Sequence, residues 1–195
     1  MDAGCGPGFF TRWLLDQGAR VTAFDVTGRM VELTQARVGA RATVLRHDLP
    51  EPLDFAADES FDWIICPLVL DYIEEWQPVL AEFTRVLKHG GGLVFSTGHP
   101  FGDYQWLKER RGLEVNYFES ELVSAPWKGF GEPYPVIHFY RRPLQQVINP
   151  LLEAGLRLDY LLEPLPTEQY RRKDPENYQK LLKEPGFICI RARKP

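Results

Sequence analysis

A glycine-rich run at the start of the chain is the residue pattern with the clearest chemical meaning. Residues Asp2-Ala-Gly-Cys-Gly-Pro-Gly8 place three glycines at alternating positions after an acid. Glycine has no Cβ, so such a backbone can turn tightly and present its N–H groups directly to a small molecule. The run therefore predicts a loop that binds a ligand at close range.

The spacing within this loop separates two classes of ligand. A dinucleotide fingerprint has the form Gly-x-Gly-x-x-Gly and holds a pyrophosphate at the following helix N-terminus. After Gly4 and Gly6 it would require glycine at position 9, where the chain has Phe9. The acid Asp2, two residues ahead, suits a ligand with an ammonium group better than one with a phosphate. A nicotinamide oxidoreductase is therefore the disfavoured alternative.

Two more acids end short runs that are typical of β-strands. Arg20-Val-Thr-Ala-Phe-Asp25 ends about 20 positions after the first loop glycine, where doubly wound α/β domains carry the acid that binds ribose hydroxyls. Ala42-Thr-Val-Leu-Arg-His-Asp48 is a second run of this kind. The competing interpretation is that both aspartates are ordinary turn residues.

The elements that would position these residues alternate between strands and helices. Helical spacing covers residues 28–38 and 77–87, while 61–66 is an apolar run typical of a strand buried on both faces. A triple glycine then separates the second helix from a strand over 93–97. This β-α-β alternation predicts a doubly wound, Rossmann-like, mostly parallel sheet with helices on both faces.

Five segments, in order and covering residues 1 to about 100, resemble class I S-adenosylmethionine-dependent methyltransferases of the small-molecule type. They are Asp2–Gly8, Phe24–Val26, His47–Leu49, the strand that begins Phe61-Asp62, and Arg85–Phe95. The later segments 140–144 and 187–193 resemble the last helix and the closing strand of the same fold. The resemblance implies an antiparallel last strand and an insertion after the fifth strand.

The resemblance also implies S-adenosyl-L-methionine as the cofactor. Gly4, Gly6 and Gly8 would approach its methionine portion, and Asp2 would help to place the amino group through water or backbone. Asp25 would bind the ribose 2′ and 3′ hydroxyls. No metal ion is expected, because three scattered cysteines form no Cys-x-x-Cys pair.

Five further residues follow from the resemblance. Val26 and Met30 would pack against the adenine, Asp48 would accept from its N6 amine, and Leu49 would lie beside the ring. Cys66 ends the fourth strand, where backbone groups of relatives touch the methionine amine. The simpler interpretations are that Met30 is plain core and that Cys66 is a buried small hydrophobe.

Methyl transfer depends mainly on alignment of the reactants and exclusion of water. A hydroxyl acceptor would also need a general base within hydrogen-bond reach. His99 follows the fifth strand and is the first candidate, His138 is the second, and Asp71 is the third. Relatives often carry histidine at the position of Asp71. Each of the three residues could instead be structural or simply solvated.

The segment 98–142 interrupts the alternation and is rich in aromatic residues. It is predicted to be a lid that binds the substrate, since a fixed scaffold carries its specificity on loops. Extended runs over 113–118 and 134–140 could pair as a hairpin over the active site. The alternative is that the aromatic residues form only the insertion's own small core.

Composition indicates one domain over residues 1–195, in the cytoplasm, with an undetermined oligomeric state. The net charge is −4 and the sequence pI is about 5.6, which disfavours a nucleic-acid partner. No apolar run approaches the roughly 20 residues of a membrane span. The predicted partner is a small-molecule substrate.

The predicted function is S-adenosylmethionine-dependent methylation of a small organic acceptor, on oxygen rather than nitrogen or carbon. Residues 65–68 lack the Asn/Asp-Pro-Pro-Tyr/Phe pattern of many nucleic-acid base and glutamine N-methyltransferases. A strand of about five residues should precede Gly4, and only Met1, Asp2 and Ala3 do so. We therefore expect an N-terminally truncated form. The alternative function is a cofactor-binding but inactive fragment or pseudo-enzyme.

Overall fold

The computed structural model describes residues 1–112, 114–127 and 132–195. The strands are β1 (Asp2–Ala3), β2 (Thr22–Asp25), β3 (Thr43–Arg46), β4 (Phe61–Pro67), β5 (Leu87–Gly98), β6 (Glu121–Pro126), β7 (Val136–Arg141), β8 (Arg157–Leu162) and β9 (Phe187–Arg193). The α-helices are α1 (Phe9–Asp16), α2 (Gly28–Val38), α3 (Trp76–Val86), α4 (Pro100–Arg111), α5 (Gln145–Glu153), α6 (Glu168–Lys173) and α7 (Pro175–Leu181). In these parts of the chain no helix has the length and apolar character needed to cross a membrane.

Seven of the strands form one sheet in the order β3-β2-β1-β4-β5-β9-β8. The first five are parallel, and β9 runs antiparallel between β5 and β8. The prediction of a mostly parallel, doubly wound sheet with an antiparallel last strand is confirmed. The strand order changes direction between β1 and β4, so the carboxyl ends of these two strands form the topological switch point, where such sheets bind ligands.

Helix α3 shows how the predicted apolar periodicity builds the core. Its residues at helical spacing are buried against the sheet: Trp76, Val79, Leu80, Phe83 and Val86. They pack with the apolar residues of β4, β5 and β9 in one continuous cluster. Burial of such side chains contributes about 1.5–3 kcal/mol each, which outweighs the weak intrinsic helix preference of this segment.

The strand β4 is less buried than its sequence predicts. Ile64 and Cys66 are buried, but Trp63 is 40% exposed. The ladder between β1 and β4 pairs only Asp2 with Ile65, so the first half of β4 is paired on one side, with β5. A groove of about 850 Å³ lies between the amino-terminal parts of β2 and β4. The expectation of burial on both faces is wrong for this half of the strand.

The segment after β5 begins with α4 and continues into an antiparallel hairpin of β6 and β7. The predicted strand over 134–140 is confirmed by β7, but its partner is β6 rather than residues 113–118. Residue 113 lies outside the described part of the chain. The carbonyl oxygens of Asn116, Tyr117 and Glu119 accept hydrogen bonds from the buried Arg141 guanidinium. Asn116 and Tyr117 thus direct their carbonyls to Arg141, and the described residues 114–118 form no strand.

Candidate active site

The three alternating glycines have positive φ angles of 73° (Gly4), 51° (Gly6) and 79° (Gly8). A Cβ on Gly4 would lie 2.3 Å from Val69 Cγ2, and one on Gly8 would lie 2.7 Å from Thr34 Oγ1. A Cβ on Gly6 would meet no atom within 4 Å. The outer glycines are therefore required by packing within the protein. The middle glycine faces open space that a ligand can enter.

Asp25, at the carboxyl end of β2, is held against this loop. Its Oδ2 accepts a hydrogen bond from Gly6 N at 2.9 Å, and its Oδ1 accepts one from Thr27 N at 2.9 Å. On the other side of the loop, Thr34 Oγ1 donates to Gly6 O at 2.7 Å. Each carboxylate oxygen can accept more than one hydrogen bond, so Asp25 keeps capacity for the hydroxyls of a ribose.

Asp2 is fully buried beneath the loop. Its Oδ2 accepts a hydrogen bond from Thr11 Oγ1 at 2.5 Å, while its Oδ1 has no partner within the described residues. Burial raises the pKa of this carboxyl above its usual value. Buried acceptors are rarely left unpaired, so an unpaired carboxyl oxygen here marks a place for a donor from a ligand or an ordered water.

The residues predicted to surround an adenine lie along the ends of β2 and β3. Val26 is exposed, Met30 is partly buried and Asp48 is exposed, whereas Leu49 is buried in the core. Phe55, in the loop after Asp48, lies near these strand ends, with its ring centroid 5.2 Å from that of His47. The sequence does not predict this contact, because a lone aromatic residue in a loop has no distinguishing pattern.

The carboxyl end of β4 carries an unusual backbone conformation. Cys66 is buried, and burial raises the pKa of its thiol. Two residues later, Leu68 has a positive φ of 56° and is 44% exposed. A non-glycine residue rarely adopts this left-handed conformation, and such strain concentrates at functional sites. Leu68 N donates to Ser96 O at 2.9 Å, which ties the ends of β4 and β5 together.

Two carboxyl groups flank the end of β5. Asp71, in a 3₁₀ turn over Leu70–Tyr72, accepts hydrogen bonds from the Thr97 hydroxyl and from Gly98 N. Asp103, in the first turn of α4, has Oδ2 only 2.6 Å from where a Cβ on Gly98 would lie. Burial raises the pKa of both carboxyls, that of Asp103 to about 7. Asp103 was not predicted, because an acid in a first helical turn is ordinary.

His99 lies beside this pair, and both of its ring nitrogens are engaged. Nδ1 accepts from Phe101 N at 3.2 Å and from Gly102 N at 3.4 Å, which caps α4, and Nε2 is 2.8 Å from Glu163 Oε1. Burial lowers the pKa of His99. His138 is exposed on β7, with Nδ1 2.8 Å from the Ser124 hydroxyl on the neighbouring strand.

Fold and site together define an α/β protein with a candidate ligand site at the switch point of its sheet. We call this site, formed by the loop Asp2–Gly8 and by Asp25, the cradle. Residues 1–95 match a family model described as a methyltransferase domain. The malonyl-[acyl-carrier protein] O-methyltransferase of Serratia marcescens is 35% identical over 97 residues, 50% of this chain and 37% of that protein. The enzyme of the same name from Pseudescherichia vulneris is 34% identical over 138 residues, 66% of this chain and 53% of that protein. The chain thus spans only about a third to half of these relatives.

A solved structure shows the same fold over nearly the whole chain. The S-adenosylmethionine-dependent methyltransferase from Mesorhizobium loti superposes with a TM-score of 0.74 at 24% identity, over 98% of this chain and 89% of that one. The chain is thus similar to the class I S-adenosylmethionine-dependent methyltransferase family, with a methyltransferase domain matched over residues 1–95. S-adenosylmethionine is the cofactor that goes with this family, and the cradle fits it. The space at Gly6 and the unpaired oxygen of Asp2 suit a methionine with an ammonium group.

Proposed function

We propose that this chain transfers the methyl group of S-adenosylmethionine to a small organic acceptor, with oxygen as the favoured acceptor atom. The observation that carries the proposal is the cradle at the switch point. There Gly6 leaves open space, Asp25 is oriented by two backbone N–H groups, and Asp2 has an unpaired buried oxygen. In this proposal the glycine loop holds the methionine portion, and Asp25 and Asp48 hold the ribose and the adenine.

Oxygen as the acceptor atom is supported by the relatives, which are named as O-methyltransferases. The sulfonium of the cofactor supplies an electrophilic methyl group. The protein's part is to align an acceptor with that group and to exclude water. Of the three predicted catalytic residues, Asp71 and His99 follow β4 and β5, whose carboxyl ends adjoin the cradle, and His138 lies on the hairpin.

We further propose that segment 98–142 forms the acceptor side of the site. Its hairpin is fastened next to Asp71, because the Arg142 guanidinium donates to the carbonyls of Ile73 and Glu74. Aromatic contacts stiffen the segment, including a pair in which the ring centroids of Tyr104 and Tyr117 are 5.6 Å apart. A rigid aromatic wall suits a planar acceptor and an adjacent sulfonium cation.

The first experiment is a calorimetric titration with S-adenosylmethionine, S-adenosylhomocysteine and NAD. We expect both sulfur nucleosides to bind and NAD not to bind. Asp25→Asn should weaken binding by about 1–3 kcal/mol, because it removes a charged acceptor of hydrogen bonds. Asp62→Asn is the matched control, because Asp62 is exposed at the amino end of β4 and pairs with Lys88.

The titration and a methylation assay separate the alternatives. Binding of NAD alone, or unchanged affinity in Asp25→Asn, would contradict the proposed cofactor site. Tight binding without methylation of any hydroxyl, acid or amine in a broad acceptor screen would favour the cofactor-binding but inactive alternative.

A further inference from the structure

The carboxyl ends of β4 and β5 bring two carboxyl groups to one point of the fold. Asp71 accepts a hydrogen bond from Gly98 N, and the Asp103 carboxyl occupies the space that a Cβ on the same glycine would need. A side chain at position 98 would collide with Asp103, so the glycine is what allows this approach. The pair therefore lies at the end of β5, next to the switch point and on the side of the hairpin.

The two carboxyls differ in their hydrogen bonds. Asp71 accepts from the Thr97 hydroxyl and from Gly98 N, and both donors favour its ionised form. No hydrogen bond or ion pair to the Asp103 carboxyl is formed within the described chain, although Asp103 is only partly exposed. Its oxygens are within reach of water rather than buried without a partner, so they have the capacity to accept a hydrogen bond from a ligand.

The nearby cations are committed to other partners. The Arg141 guanidinium donates to three backbone carbonyls and to Glu121. The Arg142 guanidinium donates to the carbonyls of Ile73 and Glu74. Both cations act on the pair only at a distance, Arg142 on Asp71 and Arg141 on Asp103.

His99 does not neutralise the pair either. Its ring is engaged with the start of α4 and with Glu163, which adds a further negative charge at this end of the sheet. Burial and the neighbouring Asp71 raise the pKa of Asp103 to about 7. A carboxyl that changes protonation near neutral pH is well matched to accepting a proton during catalysis.

We propose that Asp103 is the group that accepts the proton of a hydroxyl-bearing methyl acceptor, with Asp71 as the partner carboxylate that positions it. The inference rests on the proposed methyl-transfer function and specifies its substrate class as a neutral alcohol or phenol. A carboxylate acceptor would add a third negative charge beside two carboxyls whose nearest cations are already engaged, so the site selects against it.

The proposed chemistry balances in a single displacement. The acceptor oxygen forms a bond to the methyl carbon while its proton moves to Asp103. The carbon–sulfur bond of the sulfonium breaks, and its electron pair stays on sulfur. The products are a methyl ether, S-adenosylhomocysteine and a protonated Asp103, which then returns its proton to the solvent.

The first test is an NMR titration of the aspartate carboxyl carbons with the protein alone, with S-adenosylmethionine and with S-adenosylhomocysteine. Asp103→Asn assigns the resonance, and Asp62→Asn serves as the control variant. We expect the Asp103 midpoint to lie near 7 and to be lower by about one unit with S-adenosylmethionine than with S-adenosylhomocysteine. The reason is that only the former carries a sulfonium charge, which favours the ionised carboxyl.

The outcomes of this titration are distinct. Binding of neither nucleoside would overturn the proposed function and this inference with it. Binding of both, with equal Asp103 midpoints or with a midpoint at the ordinary value for a carboxyl, would overturn this inference alone.

The second test is methyl transfer to aromatic compounds that differ only in carrying a hydroxyl, a carboxylate or an amine. We expect the hydroxyl members to be methylated, with kcat falling by about 10²–10⁴-fold in Asp103→Asn and unchanged in Asp62→Asn. In Asp103→Asn the pH profile of kcat should also lack the step near pH 7 that the parent protein shows. Methylation of only carboxylate or amine members, or of no hydroxyl member, would overturn the inference.

Discussion

The glycine loop allows packing, backbone strain and ligand space to be measured separately. Gly4, Gly6 and Gly18 all have positive φ, at 73°, 51° and 85°, so an alanine at each incurs a left-handed cost of about 1–2 kcal/mol. At Gly4 the new methyl would also lie 2.3 Å from Val69, and overpacking of this kind adds about 1–3 kcal/mol. Gly6 and Gly18 have no atom within 4 Å of the added Cβ.

The three variants should therefore separate in two assays. In urea unfolding, Gly4→Ala should lose about 2–5 kcal/mol, and Gly6→Ala and Gly18→Ala about 1–2 kcal/mol each. In calorimetric titration with S-adenosylhomocysteine, Gly6→Ala should bind about 10–100-fold more weakly, because its methyl group occupies ligand space. Gly18 follows α1, away from the cradle, so Gly18→Ala should bind S-adenosylhomocysteine as tightly as the parent protein does.

Two results would refute this reasoning. Parent-like affinity in Gly6→Ala would mean that the open space at this residue is not used by the cofactor. Equal stability losses in Gly4→Ala and Gly18→Ala would mean that Val69 moves away at no cost and that packing does not explain the first glycine.

Two further predictions concern a hydrogen bond and a titration. Thr34→Val removes the hydroxyl that donates to Gly6 O, so urea unfolding should show a loss of about 1 kcal/mol and calorimetry a weaker affinity for S-adenosylhomocysteine. The pKa of Asp103 is raised in the folded protein to about 7, so its contribution to stability is lost as pH rises from about 4 to 8. Asp103→Asn should therefore gain about 2–4 kcal/mol relative to the parent between these pH values in urea unfolding, and a pH-independent difference would contradict this.

Much of the fold could be predicted because local pattern and tertiary environment agree along the first half of the chain. The predicted helix over 28–38 coincides with α2, and the apolar spacing of 77–87 reproduces the buried face of α3. Strand β5 differs, since it begins at Leu87 and includes the glycines that were predicted to separate helix and strand. The cause is a close approach: a Cβ on Gly92 would lie 2.5 Å from the Trp63 ring, a contact between strands that no local pattern reveals.

The candidate site was predictable to the extent that it follows strand ends. Asp2 and Asp25 could be chosen because a parallel sheet collects its carboxyl ends at one edge. Thr11 and Thr34, which position these groups, lie inside helices where a single threonine has no distinguishing pattern. Asp103 depends on a contact with Gly98, and sequence spacing alone does not determine which side chain a glycine admits.

The cofactor half of the proposed site is easier to predict from the sequence than the acceptor half. The cofactor half binds a ligand of fixed structure, so its glycines and acids follow a spacing that the family shares. The acceptor half must suit one substrate, and here it is built from Asp71, Asp103 and a hairpin fastened by Arg142. In the proposed reaction the sulfonium becomes a neutral thioether, so the cation that favours ionised carboxyls disappears as the proton arrives. Asp103, whose pKa is raised beside Asp71, can hold the proton once the positive charge on sulfur is gone, until the products leave.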